Sequence, residues 1–222
     1  LPAGEDQQLF RKLMLDSMDM LSAHPVNRRR IDAGKRPANM IWLWGQGRRP
    51  SMPPFPELYG LNGSVISAVD LIRGIGKYAG LAVIDVPGAT GYFDTNYAGK
   101  AEYGIESLNQ RDFLFLHVEA PDEAGHVGNL EEKVKAIENF DRCIVGPVAD
   151  ALHEHQPSRI MVLPDHLTPL SVRTHVSDPV PFLVQGTGIS ANGCGSFGEA
   201  EAGRTGLVIE NGFELLPKYL KE

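Results

Sequence analysis

Asp122 and His126 lie four residues apart in Pro121-Asp122-Glu123-Ala124-Gly125-His126. That spacing puts both side chains on one face if the segment turns helically, where a carboxylate and an imidazole can hold one ion between them. Asp165 and His166 are adjacent and follow the apolar run Ile160-Met161-Val162-Leu163, while His175 stands in Arg173-Thr174-His175. Each motif alone also has an ordinary reading: a chance DxxxH, an Asp capping a helix beside a surface His, and a solvated loop His. Together they make a set of carboxylate and imidazole ligands suited to divalent ions such as Mn, Zn, Mg or Co. Two such ions side by side can activate a nucleophile and stabilise the oxygens of a phosphoryl group in line, so the chemistry indicated is metal-dependent phosphoryl transfer.

What must position these residues is a set of strand ends, because open α/β sheets bind ligands outside the carboxyl ends of their strands. Phe113-Leu114-Phe115-Leu116-His117-Val118 is a continuous apolar run of the kind found in parallel sheets covered on both faces, and it delivers Glu119-Ala120-Pro121-Asp122. Strands are also expected over 64–67, 82–86, 160–163 and 181–184, and helices over 69–78, 101–108 and 214–220. Leu130, Val134, Ile137, Phe140, Ile144, Val148 and Leu152 recur at helical spacing, with Gly146-Pro147 expected to kink or split that helix. Strands alternating with helices predict an α/β fold with a largely parallel sheet flanked by helices. Nearer the start, Leu9, Phe10, Leu13, Met14 and Met18 predict an amphipathic helix over 5–24, broken by His24-Pro25, with a short basic helix before Pro37. Met40-Ile41-Trp42-Leu43-Trp44 predicts a buried strand feeding the loop Gly45-Gln46-Gly47-Arg48-Arg49-Pro50, and the proline-rich stretch 51–56 is the candidate hinge.

The chain has 222 residues, 42% hydrophobic and 22% charged, enough for one buried domain or one plus part of a second. A formal net charge of -7 disfavours a nucleic-acid binder, and the Arg28-Arg29-Arg30 cluster is local. Cys143 and Cys194 are far apart and form no CxxC, so neither a disulfide framework nor a zinc knuckle is expected, which fits a reducing cytoplasm. No apolar run approaches the roughly 18 to 20 residues of a membrane helix, and no export signal opens the chain. The opening Leu1-Pro2-Ala3-Gly4 has no Met and runs as loop straight into a helical pattern, so a fragment is expected.

The set Asp122, His126, Asp165, His166 and His175 resembles the metal site of the alkaline phosphatase superfamily. Val118-Glu119-Ala120-Pro121-Asp122-Glu123-Ala124-Gly125-His126, Arg173-Thr174-His175 and Asp178-Pro179-Val180-Pro181-Phe182 narrow the resemblance to the archaeal-type 2,3-bisphosphoglycerate-independent phosphoglycerate mutases. His24-Pro25-Val26-Asn27, Trp42-Leu43-Trp44-Gly45-Gln46-Gly47-Arg48-Arg49-Pro50 and Gly88-Ala89-Thr90-Gly91-Tyr92 look like the same family, so the resemblance runs along nearly the whole chain. It implies an incomplete alkaline phosphatase-like core over 61–222 and part of a second, substrate-binding lobe over 1–60. It also implies two divalent ions, drawn from Mn, Mg, Zn or Co. One is held by Asp122, His126 and His175; the other by Asp165 and His166 together with an Asp and a nucleophilic Ser. Those last two lie near the N-terminus of family members, and this chain does not show them.

The implied reaction interconverts 3-phosphoglycerate and 2-phosphoglycerate through a phosphoserine, without bisphosphoglycerate, as a step of glycolysis and gluconeogenesis. The partner implied is this small molecule, with no nucleic acid and no membrane, and the chain is expected to be a C-terminal part that is inactive alone. A carboxylate and a phosphate are gripped best by guanidinium groups, for which Arg48, Arg49, Asn27 and Arg30 are the candidates, with Lys100 beside them. His117 and Glu119 are expected to orient the ligands, and His153 and His155 to serve a helix dipole. The same ligand set also serves metal-dependent phosphatases, phosphodiesterases and other phosphomutases, including relatives with a proposed homoserine kinase label. A truncated domain that only folds or binds is the third expectation.

Overall fold

The computed structural model of the chain describes residues 2–4, 7–45 and 47–220. Leu1, Glu5, Asp6, Gln46, Lys221 and Glu222 lie outside the described residues, and with them the start of the expected 5–24 helix and the middle of the Gly45-Gln46-Gly47 turn. The chain forms two compact units, Leu1–Ser51 and Met52–Glu222.

In the first unit α1 (Gln7–Ala23) is followed by α2 (Pro25–Asp32). His24 separates them because the residue before a proline avoids the helical region; its extended backbone lets its ring cap α2, accepting from Val26 N–H at 3.2 Å. The strand expected over 40–44 does not form: the segment is extended coil, with Trp42 63% and Trp44 80% exposed. Apolar β-prone residues make a strand only where a neighbouring backbone completes the ladder. Here the Ile41 N–H donates instead to the Ser17 hydroxyl on α1, at 3.0 Å.

The second unit begins with α3 (Phe55–Tyr59), whose Phe55 ring stacks on Phe113 at 4.5 Å. Strands β1 (Gly63–Ile66), β2 (Ala82–Val83) and β3 (Phe113–Leu116) make a parallel sheet in the order β2-β1-β3. The crossovers are α4 (Asp70–Tyr78) and α5 (Tyr97–Leu108), and β1 in the centre is buried along its whole length, as a strand covered on both faces must be. After β3 come α6 (Ala120–Val127), α7 (Leu130–Phe140) and α8 (Gly146–Glu154). The expected split at Gly146-Pro147 takes the form of a π-helical turn, Asp141–Val145, in which Gly146 N–H bonds back to the Asp141 carbonyl. Pro147 brings no N–H and crowds the preceding turn, which this wider turn accommodates. Tyr97, Ala101, Ala120, Ala136, Ile144 and Val148 form the core where α5 to α8 meet, with Leu116, Val118 and Ile160 packed against it.

Strands β4 (Arg159–Val162) and β5 (Leu183–Gly186) pair antiparallel, a departure from the largely parallel expectation. The reason lies between them: residues 163–182 contain no helix, and a parallel neighbour needs a long, usually helical, crossover. The chain ends in α9 (Glu199–Arg204) and α10 (Leu215–Leu220). The fold is thus α/β, with a parallel sheet flanked by helices. Among the described residues β1 alone is paired on both sides, and β2, β3, β4 and β5 each keep one edge without a ladder partner. No helix among them is long and apolar enough to cross a membrane.

Candidate metal centre

Strands β3 and β4 lead into the same cluster of side chains. Beyond β3 the chain turns into α6, which has Pro121 in its first turn, Asp122 beside it and His126 in its last turn. Beyond β4 come Asp165 and His166, and an antiparallel bridge between Leu167 and Val176 folds the chain back so that His175 meets α6. The Nε2 atoms of His126 and His175 are 3.1 Å apart. Asp122 offers Oδ2 to His126 Nε2 at 3.3 Å and Oδ1 to His175 Nε2 at 3.4 Å. Ligands about 2.0–2.2 Å from a shared ion in tetrahedral array stand roughly 3.3–3.6 Å apart, so this triangle has the dimensions of a coordination shell. The His166 ring lies tilted against His175 with centroids 3.8 Å apart, and one ligand atom each from Asp122, His166 and His175 lies within 4.8 Å of the others. Asp165 reaches His166 Nε2 at 3.7 Å from a largely exposed position.

Hydrogen bonds fix which nitrogens carry lone pairs. His126 Nδ1 lies 3.0 Å from the Arg173 carbonyl, which can only accept, so the proton sits on Nδ1 and Nε2 is left to bind an ion. Arg173 holds that carbonyl from a positive φ of 56°, sparsely populated for a side-chain-bearing residue. Its guanidinium lies over Gly128, where a Cβ would meet Nε at 2.4 Å, which explains a glycine at this left-handed cap of α6. The buried hydroxyl of Thr168 donates to Asp122 Oδ1 and lies 3.3 Å from His166 Nδ1. With its proton spent on the carboxylate, that oxygen accepts from Nδ1–H, leaving His166 Nε2 with a lone pair as well. The Asp122 carboxylate oxygens and the Nε2 atoms of His126 and His175, with His166 beside them, suit a divalent ion.

The sequence pattern of the Metalloenzyme superfamily matches residues 5–209. The chain belongs to this superfamily. Among curated relatives, it is 56% identical over 200 residues to 2,3-bisphosphoglycerate-independent phosphoglycerate mutase 2 of Methanothermobacter thermautotrophicus, a match covering 90% of this chain and 50% of that protein. The solved structure of the PH0037 protein from Pyrococcus horikoshii superposes with a TM-score of 0.80 at 35% identity, covering 89% of this chain and 51% of that one. The cofactor-independent phosphoglycerate mutase of Thermoplasma acidophilum shares the fold, with a TM-score of 0.61 at 24% identity over 96% of this chain and 51% of its own. The chain spans about half the length of the curated relatives it matches.

Around the metalloenzyme cluster the electrostatics follow from burial. Glu119, at the start of α6, has its pKa raised, first by desolvation and then by the neighbouring charges of Glu123 and Asp122. Burial likewise lowers the pKa of His117, whose Nδ1 lies 3.2 Å from the Ser67 hydroxyl at the end of β1. Lys133 crosses from α7 to donate to the Thr168 carbonyl at 2.7 Å, and burial lowers its pKa. Thr168, Lys133 and the Arg173 carbonyl are the participants that motif reading missed. Thr168 stands two residues after His166, a spacing that carries no signal of its own.

The structure gives several of the expected substrate residues other work. Asn27 is buried, with both amide protons donated to the Leu21 and Ala38 carbonyls at 2.7 Å and its oxygen accepting from Ala38 N–H at 2.9 Å. It clamps the turn after α2, with no amide proton left for a ligand. Arg30 donates through Nε to the Arg36 carbonyl at 2.9 Å. Lys100 is only 1% exposed and donates to the His117 carbonyl at 3.3 Å. Arg48 and Arg49 are exposed, in coil of the first unit.

Proposed function

We propose that this chain is the metal-bearing part of a 2,3-bisphosphoglycerate-independent phosphoglycerate mutase, a cytoplasmic enzyme interconverting 3- and 2-phosphoglycerate in glycolysis and gluconeogenesis. The observation that carries the proposal is the triangle of Asp122, His126 and His175, in which the Arg173 carbonyl leaves the His126 Nε2 free for coordination. Relatives bearing that name at 50–56% identity support the choice of reaction. In this reading Asp122, His126 and His175 hold one divalent ion, while Asp165 and His166 contribute to a second. Such ions lower the pKa of a coordinated hydroxyl and neutralise phosphoryl oxygens. Thr168 keeps the Asp122 carboxylate in place, the Arg173 carbonyl keeps the His126 ring in place, and Arg48 and Arg49 grip the carboxylate and phosphate of the substrate.

The open edges of β3 and β4 support a further element of the reading. Both strands run toward the ligands, and a strand supplied by the remainder of a relative-length polypeptide would carry the nucleophilic Ser and the missing Asp to the second ion. The test is conversion of 3- to 2-phosphoglycerate, with Mn2+ and no bisphosphoglycerate, by a polypeptide of the relatives' length that includes this sequence. Conversion abolished by His175→Ala and by Asp165→Ala is the expected result; conversion that survives both sinks the assignment.

A further inference from the structure

We propose that Lys100 is a positioning residue: its buried ammonium holds the backbone turn after β3, and through that turn sets how α6 presents Asp122 and His126. This rests on the metal reading of that site. Among the described residues Lys100 is the largest side chain that is fully buried, and it projects from α5 rather than from any element bearing a ligand. Its Nζ donates to the carbonyl of His117, one residue past the last β1–β3 pair, Ile66 with Leu116. The same residue is gripped twice more. His117 N–H donates to the Ile66 carbonyl at 2.9 Å, and its Nδ1 meets Ser67 Oγ, which also accepts from Val69 N–H at 3.0 Å. The chain therefore leaves the sheet from a fixed point.

Two residues on, Glu119 starts α6, and its carbonyl accepts from the amides of Asp122 at 2.9 Å and Glu123 at 3.1 Å. Glu119 supplies the opposing charge that acts on the ammonium, and the loop before α5 wraps its carboxylate so closely that a Cβ on Gly91 would stand 2.6 Å from Oε2. A lysine buried this completely is costly, and an apolar side chain of similar length would fill the space at lower cost. Its presence is explained by what the charge does: it ties α5 to the root of the helix that carries two ligands.

The experiment uses the full 222-residue chain, with Mn2+ as the probe and Lys100→Met as the variant. Expected are Mn2+ binding weakened by about ten-fold or more and amide exchange at Asp122 and Glu123 in metal-free protein accelerated by about the same factor relative to Val65, with the urea midpoint unchanged or raised. Val65→Ala, a cavity in β1, is expected to lower the midpoint and leave both other readings alone. Wild-type binding matched by Lys100→Met, with unaltered exchange, overturns the positioning role and leaves the metal reading standing. If the wild type binds no Mn2+, the metal reading fails, and the exchange arm alone then decides the role of Lys100, unaltered exchange overturning it. Should Lys100→Met not fold, Lys100→Gln keeps one donor for the His117 carbonyl and is expected to shift both readings in the same direction.

Discussion

Thr168 shows how much of the centre depends on one hydroxyl. By donating to Asp122 and accepting from His166 it serves a carboxylate from one strand end and an imidazole from another. Thr168→Val keeps the shape and removes both hydrogen bonds; we expect Mn2+ affinity, measured by titration calorimetry, to fall by about ten-fold with the fold intact. Lys100 gives a prediction in pH. Burial lowers its pKa to about 8, against the opposing charge of Glu119, from an ordinary value of 10.5. The unfolded chain thus binds the extra proton between those values, so wild-type stability gains as pH rises through that window, by at most about 1.4 kcal/mol per pH unit. Urea unfolding of wild type minus Lys100→Met is expected to show this slope, and parallel profiles would contradict it. Asp122, His126, Asp165 and His166 could be singled out as candidates in the sequence because few residue types ligate metals and both pairs follow an apolar run, whereas His175, in a loop, stood out only in their company. Thr168 and the Arg173 carbonyl were not: the Asp122 and His126 they meet lie more than forty residues away, and a carbonyl looks the same at every position.

The elements meet the ligands through close approaches that leave little room for change. Where α6 passes the segment after β4, a Cβ on Gly125 would stand 2.4 Å from the Thr168 carbonyl and 3.0 Å from Lys133 Nζ. Gly125→Ala is therefore expected to push α6 away from Thr168, costing about 1–3 kcal/mol by urea unfolding and weakening Mn2+ binding at the same time. Unchanged values for both would show that the segment yields freely. Helical spacing located α4, α5, α7 and α8 in the sequence, and continuous apolar runs located β3 and β4, because burial imposes those patterns directly. The run at 40–44 shows the limit: Trp42 and Trp44 carry strand propensity, but a strand exists only with a partner, and pairing is a property of distant chain. The antiparallel turn of β5 was hidden for a related reason, since direction is set by the connection and not by the strand's own residues.

At the scale of the molecule, a superfamily pattern over residues 5–209 coexists with a span of about half the matched relatives. The parallel sheet has β3 at one edge, the antiparallel pair starts at β4, and both of these strands lead to the ligands. In the reading proposed above, the chain alone holds one complete ligand set, Asp122, His126 and His175, and only part of a second. It is then expected to bind metal while converting no phosphoglycerate, and Mn2+ should raise its melting temperature with a logarithmic dependence on concentration. The most direct measurement is a calorimetric titration of the chain with Mn2+, repeated on Asp122→Ala, His126→Ala and Asp165→Ala. One ion per chain, lost in the first two variants and retained in the third, is the predicted result. Binding that persists unchanged in Asp122→Ala and His126→Ala would contradict the assignment of the centre.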